Sequence, residues 1–300
     1  MIPIIKNYLS TGLYTYSILQ YDIYILLKRY YPIVSLKTLG ITADGRSIYC
    51  LKLGNPKGRK RILIDAGCHG REYMNSMLVM HQLRFFLETY RQDTLKDYEI
   101  YIIPMLNPDG VSISQFGAKS IHNLDVRNRV QAILDKNGIH HKYWKSNAMG
   151  VDINRNFSTS YWYNFNDTTY EPSYRFFKGY SPTSEVETAT LQNVCTSIDG
   201  LQTVISYHSS GEEIYFDYGQ VGSLMNDTLK ILNILQSTTG YSKAESSLKG
   251  VGCSDWIVQK LKIPAFTIET GLKDCPLHID EYAKVWHDNK NVISKLLRII

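Results

Sequence analysis

The stretch Arg61–Glu72, RILIDAGCHGRE, constrains this chain more than any other. Ile62, Leu63 and Ile64 form an apolar run without a charge, which reads as a buried strand. The run breaks at Gly67 and presents His69. Glu72 then opens an apolar-periodic segment of Met74, Met77, Leu78, Met80, His81, Leu83, Phe85 and Phe86, the pattern of a helix. A strand, a loop and a helix in that order form the junction where open α/β sheets bind ligands. His69 and Glu72, three apart, can reach one metal ion from the same side.

The rest of the chain supports a large α/β domain. Three hundred residues suffice for a sizeable core. Helical and strand-like segments alternate, which predicts a mainly parallel or mixed sheet with helices on both faces and one domain over 1–300. Ser17 and Gln20 read as a capping box for a helix through Ile18, Leu19, Ile23, Leu26 and Leu27, which stops at Tyr31-Pro32. Val34–Ile41 and Ser47–Leu53 read as strands joined around Asp44-Gly45. Tyr98–Leu106 reads as a buried strand ending in the turn formers Asn107-Pro108-Asp109-Gly110. Residues 111–180 read as long functional loops with a short helix around Val126–Leu134. Ser184 and Glu187 cap a helix to Ile198, Thr203–Tyr207 is a strand, and Leu224–Leu235 a helix closed by Gly240. Ala265–Ile268 is the last core strand, and Tyr282–Ile300 a C-terminal helix.

Composition excludes several classes. The net charge of +5 is spread along the chain, with no Lys/Arg block of the nucleic-acid kind, and is compatible with an anionic substrate. No run has the apolar length of a membrane span, and the N-terminus lacks the pattern of a signal peptide. Five scattered cysteines, an odd number without a C-x-x-C pair, fit a reducing compartment, so a cytoplasmic location is expected. Cys68 reads as a small buried residue. About a dozen residues precede the first helix region, so no prodomain is expected.

Three apolar strands each end in a polar group: His69 and Glu72 after RILIDAG, His208 after TVISY, Glu269 at the end of AFTI. Two histidines and one carboxylate are a standard catalytic zinc set that leaves a position for water or substrate. A second carboxylate then has the role of general base.

HGRE, SYHSSGEE and FTIETG, in that order, resemble the zinc carboxypeptidase family. GVDINRNF (Gly150–Phe157) is similar to its substrate-binding motif, and NPDG recurs in it. The resemblance runs from about Tyr14 to the C-terminal helix. It implies an α/β/α sandwich around a mixed, largely eight-stranded sheet, with His69, Glu72 and His208 binding one zinc ion and Glu269 as base. It also implies that Asn154 and Arg155 hold a substrate carboxylate, which suits a planar guanidinium. Lys145 falls near the arginine that stabilises the oxyanion; Arg127 reads as structural. Cys253–Trp256 resembles the wall of the pocket for the leaving side chain, with Ser254 at the specificity position and Asp255 either in that wall or a turn residue. The family's mobile tyrosine is missing: Ser246–Lys249 occupy its place, with Lys249 a substitute grip, and Tyr241 is the nearest tyrosine.

The run His208–Tyr215 resembles the bacterial branch that hydrolyses γ-D-glutamyl bonds to a diamino acid in peptidoglycan stem peptides. There Glu212 and Glu213 either contact the amino groups of a diaminopimelate-like residue or form a charged loop. The expectation is a zinc metallopeptidase acting on an anionic muropeptide, handled in the cytoplasm during recycling or met in sporulation or after lysis. Two alternatives stand beside it: a conventional exo-carboxypeptidase of L-peptides, and a non-catalytic binder of cell-wall fragments.

Overall fold

The computed structural model describes residues 12–89, 95–245 and 249–299. Eight strands form one mixed sheet in the order β1-β2-β4-β3-β5-β8-β6-β7. These are β1 Val34–Ile41, β2 Ser47–Gly54, β3 Lys60–Ala66, β4 Tyr98–Ile103, β5 Leu201–His208, β6 Glu213–Asp217, β7 Ser242–Glu245 and β8 Ala265–Glu269. The centre, β4-β3-β5-β8, is parallel; the pairs β1-β2, β2-β4 and β8-β6 are antiparallel, and β6-β7 is parallel. The expected α/β architecture is therefore present.

Alternation along the central strands builds two cores. Ile62, Ile64, Ile100, Ile102, Ile205, Tyr207, Phe266 and Ile268 face one layer. That layer holds α1 (Tyr16–Tyr30), α2 (Tyr73–Thr89), α6 (Gly222–Thr239), α8 (Tyr282–Asn289) and α9 (Val292–Leu296). Leu63, Ile103, Val204 and Ala265 face the other layer, with α5 (Val186–Ser197) and α7 (Cys253–Leu261). A third cluster packs α3 (Pro108–Phe116) against α4 (Leu124–Asn137) around the buried Trp144.

Several boundaries differ from the expectation. Helix α1 is capped by Thr15, whose hydroxyl accepts the Ile18 N–H, not by Ser17. NPDG is not only a turn: Asn107 is the N-cap of α3 and Pro108 its first residue, where a missing N–H costs nothing. Ser184 does not cap α5; Glu185 occupies that position. The expected C-terminal helix is two, broken at Lys290-Asn291. Strands β6 and β7 and helix α7 were not expected, and the strand after Tyr98 ends at Ile103. Among the described residues no helix is long and apolar enough to cross a membrane. All five cysteines are buried free thiols, Cys68 among them.

Glu187, in the first turn of α5, is buried against the Asn147 amide, which donates to it at 3.1 Å and to Glu185 at 2.6 Å. Burial lifts its carboxyl from the ordinary 4.5 to about 8, and Glu185 and Asp109 push the same way. A raised carboxyl holds its proton more tightly folded than unfolded, so stability is lost as pH climbs from 4.5 through about 8. Glu187→Gln is expected to melt several degrees above the wild type at about pH 9 and within a degree or two of it at about pH 5. Parallel melting curves across that range would contradict this account of Glu187.

Candidate metal centre and active site

The carboxyl ends of β3, β5 and β8 lie side by side because the three are parallel neighbours. His208 ends β5 and pairs in register with Glu269, which ends β8. His69 follows β3, and Glu72 closes a single turn, Gly70–Glu72, before α2. Gly70 is required by crowding, since a Cβ there would stand 2.3 Å from the Gly110 carbonyl oxygen. Its N–H donates to the Lys145 carbonyl at 3.0 Å. The Asn107 amide donates to the carbonyls of Cys68 and Ser146 at 3.0 and 3.1 Å. NPDG thus ties the His69 loop to the Lys145 loop.

His69, Glu72 and His208 are buried, and one ligand atom from each lies within 4.8 Å of the others. His69 Nδ1 is 2.8 Å from Glu72 Oε1, while His208 Nδ1 is 3.0 Å from both His69 Nδ1 and Glu72 Oε2. On its far side His69 Nε2 lies 3.2 Å from Asp152 Oδ1. That carboxylate takes the ring proton at Nε2 and leaves the Nδ1 lone pair for a metal. Burial alone would raise the Glu72 carboxyl, yet His69 and His208 overcome it and hold it well below the ordinary range. Two imidazole nitrogens and an anionic oxygen fit a zinc ion with a further position open. Among the described residues no second such group of three occurs.

Glu269 Oε2 is buried and has no hydrogen-bond partner among the described residues, a costly arrangement unless something approaches it. Burial lifts this carboxyl to about 7; Glu72 and Glu213 push it up, and His208 and Lys145 oppose. A triangle of buried side chains fixes these strand ends. The Asn75 amide donates to Ser209 Oγ at 2.9 Å, Thr270 Oγ1 donates to Asn75 Oδ1 at 2.7 Å, and the two hydroxyls are 2.9 Å apart. The triangle joins α2, which follows Glu72, to the residues just after His208 and Glu269.

Asp152 organises the opposite wall. Its Oδ2 lies 3.0 Å from Lys145 Nζ and 3.3 Å from Arg155 Nη1, and accepts the Phe176 N–H at 3.2 Å. Burial would raise Asp152, but Lys145, His69 and Arg155 hold it well below the ordinary range. Both cations also sit over the Phe176 ring, Lys145 at 5.3 Å and Arg155 at 4.6 Å. Arg155 Nη2 reaches the exposed Asp167 at 3.2 Å. Asn154 Oδ1 accepts the Cys253 N–H at 2.9 Å, which fixes its amide orientation.

The other expected site residues divide. Ser254 is buried in the first turn of α7, its hydroxyl 3.1 Å from Thr267 Oγ1. Asp255 accepts the Gly252 N–H at 3.0 Å, so its carboxylate serves the start of α7, and burial raises it to about 6. Glu212 pairs with Lys284 on α8. Glu213 begins β6, directly opposite Glu269. Ser246–Leu248 lie outside the described residues; Lys249, which follows them, is exposed. Tyr241 is buried, its hydroxyl accepting the Asn289 amide at 2.9 Å. Arg127 donates to the Ile121 carbonyl at 2.7 Å, a structural contact. Asp152, Asn75, Ser209 and Thr270 were not singled out from sequence; only Asp152 had a signal, its place inside GVDINRNF.

A family model for zinc carboxypeptidase matches residues 21–291. The chain belongs to the zinc carboxypeptidase family. It is a metallopeptidase, a hydrolase, and the family implies zinc. Among curated relatives it is 25% identical over 285 residues to gamma-D-glutamyl-L-diamino acid endopeptidase 1 of Lysinibacillus sphaericus, covering 92% of this chain and 70% of that protein. Its fold resembles thrombin activatable fibrinolysis inhibitor (TM-score 0.71, 20% identity, 95% of this chain and 74% of that one). It also resembles murein-tripeptide amidase MpaA from Escherichia coli O157 (TM-score 0.56, 20% identity, 88% of this chain and 92% of that one).

Asp152→Asn removes the anion behind His69 and the counter-charge of two cations. Zinc affinity is expected to fall about ten- to a hundredfold, read as metal retained against a graded chelator. An unchanged chelator midpoint would show that Asp152 does not support a ligand.

Proposed function

We propose that this protein is a zinc-dependent peptidase that hydrolyses the amide bond between a γ-D-glutamyl group and a diamino acid in anionic muropeptides. The observation that carries the peptidase chemistry is the buried Glu269 Oε2, without a hydrogen-bond partner among the described residues, beside the His69–Glu72–His208 set. The γ-D-glutamyl bond is supported by the Lysinibacillus sphaericus relative, whose name states that activity and which aligns with 92% of this chain.

In this reading His69 and His208 through Nδ1, and Glu72 through its carboxylate, hold one zinc ion. A bound ion there supplies Lewis acidity, which lowers the pKa of water and polarises a carbonyl. Glu269 takes a proton from the attacking water and delivers it to the leaving nitrogen. A carboxyl lifted to about 7 is basic enough for that exchange near neutrality. Lys145 offers its ammonium to the oxygen that becomes negative in the transition state. Arg155 and the Asn154 amide hold a carboxylate of the substrate, which displaces the rim partner Asp167 from the guanidinium fork. Lys249 is a further cation for an anionic substrate. The Asp255 carboxylate acts at one remove, by fixing the start of α7 that carries Ser254.

The direct test incubates the zinc-loaded protein, with and without chelator, with L-Ala-γ-D-Glu-meso-diaminopimelate and with a blocked L-dipeptide ending in a hydrophobic residue. Products are read by mass. Chelator-sensitive release of diaminopimelate is expected. Cleavage of the L-dipeptide alone would make the enzyme a conventional carboxypeptidase, and cleavage of neither would favour a binding protein.

Glu269→Gln is expected to keep its zinc and lose at least about a thousandfold in kcat, because a base is removed and no ligand. The wild-type kcat/KM should fall on the acid side with a limb at or below about 7, as Glu269 takes up its proton and stops acting as base. A variant retaining more than a few per cent of the wild-type rate would show that another group takes the proton.

A further inference from the structure

Phe176 stands at the rim of the site with a left-handed backbone, φ 69, which a bulky residue adopts only where its surroundings impose it. Those surroundings are the site itself. The Phe176 N–H donates to Asp152 Oδ2 at 3.2 Å, and its carbonyl accepts the Thr168 hydroxyl at 2.7 Å and the Thr169 N–H at 3.3 Å. Two residues earlier, the Tyr174 carbonyl accepts the N–H groups of Lys145 and Ser146 at 2.9 and 3.0 Å. Arg175 is therefore held between two fastened neighbours. One is tied to the backbone of Lys145, the other to the carboxylate behind His69.

Three cations meet the Phe176 ring. Lys145 Nζ is 5.3 Å from its centroid, and the guanidinium carbons of Arg155 and Arg175 are 4.6 and 4.8 Å from it. Arg175 also lies 5.1 Å from the Tyr174 ring centroid and is partly buried. The counter-charges are shared unequally. Lys145 and Arg155 both reach Asp152, and Arg155 reaches Asp167 as well. Arg175 makes no ion pair and no hydrogen bond among the described residues. Rings take a guanidinium by its face and leave its N–H edge for an acceptor. Three positive charges crowd one ring with two carboxylates between them, so an arriving anion relieves their repulsion.

We propose that Arg175 binds a second carboxylate of the substrate, beside the one held by Arg155 and Asn154, with the Phe176 ring spacing the two guanidinium groups. This rests on the muropeptide reading of the site and adds a second anionic contact to it. A γ-D-glutamyl–diaminopimelate peptide carries the α-carboxylate of the leaving residue, the α-carboxylate of the glutamyl group and a distal carboxylate on the diamino acid. The first falls to Arg155, and Arg175 takes one of the other two by a charge-assisted hydrogen bond.

The test compares three tripeptides that differ in one carboxylate. They are L-Ala-γ-D-Glu-meso-diaminopimelate, its glutamyl α-carboxamide, and L-Ala-γ-D-Glu-L-lysine, in which the distal carboxylate is absent. Kd is measured by calorimetry on zinc-loaded Glu269→Gln protein with Arg175 kept, changed to Gln or changed to Lys, and cleavage by the wild type is followed separately. Arg175→Gln is expected to weaken the full tripeptide about tenfold, with part of the loss recovered in Arg175→Lys. It should leave unchanged the tripeptide that lacks the carboxylate Arg175 holds. Insensitivity of the carboxamide assigns the glutamyl carboxylate, and insensitivity of the lysine peptide the distal one. Equal losses on all three, or none on any, would overturn the proposal. Binding that depends on Arg175 without cleavage by the wild type would sink the peptidase reading and keep Arg175 as an anion contact. Cleavage with equal losses would do the reverse, and no binding of any tripeptide would overturn both.

Discussion

The parallel register of β3, β5 and β8 is the constraint on which the rest of the site depends. Parallel strands point their carboxyl ends the same way, so the residues that leave the sheet there converge on one edge. His208 and Glu269 face each other across two strands, and His69 arrives one strand further along. Nothing in this needs a long-range search by flexible loops. The buried apolar runs set the register, and the register sets the distance between the histidines and the glutamate. The hydrogen-bonded triangle of Asn75, Ser209 and Thr270 then removes the freedom left at the strand ends.

Asp152 plays the complementary part. A fully buried carboxylate is tolerated only with strong compensation, and it receives His69, Lys145, Arg155 and a backbone N–H. The same negative charge therefore orients one ring of the His69–Glu72–His208 set and keeps two cations at the rim of the site. One carboxylate couples the wall built from GVDINRNF to the wall built from HGRE. Asn107 does the same through neutral amide bonds, capping α3 while holding the loops that carry Cys68 and Ser146.

Much of this was legible in the sequence, and the failures have physical causes. The central strands announce themselves because Ile62–Ile64, Ile102–Ile103 and Val204–Ile205 have no polar alternative to burial. Strand β6 does not, because its face toward the site is polar: Glu213, Tyr215 and Asp217 interrupt an alternation whose apolar members, Ile214 and Phe216, are only two. Helix α7 starts after Gly252 without an apolar lead and spans nine residues, too few for its period to stand out. Asn107 and Pro108 did carry a helix-start signal, but Asp109 and Gly110 after them read as turn formers. GVDINRNF marks Asp152 but not its support of His69, because an aspartate in a loop is ordinarily solvated and His69 is far from it in sequence. Asn75, Ser209 and Thr270 meet only once the sheet has formed.

The central claim concerns the donor set, and zinc-edge X-ray absorption of the zinc-loaded protein reads it directly. The account predicts a shell of nitrogen and oxygen at about 2.0–2.2 Å, outer scattering from two imidazole rings, and no sulfur. A sulfur shell near about 2.3 Å would place a thiolate such as Cys68, the neighbour of His69, in the coordination sphere. That result would contradict the assignment of His69, Glu72 and His208 and the catalytic geometry built on it.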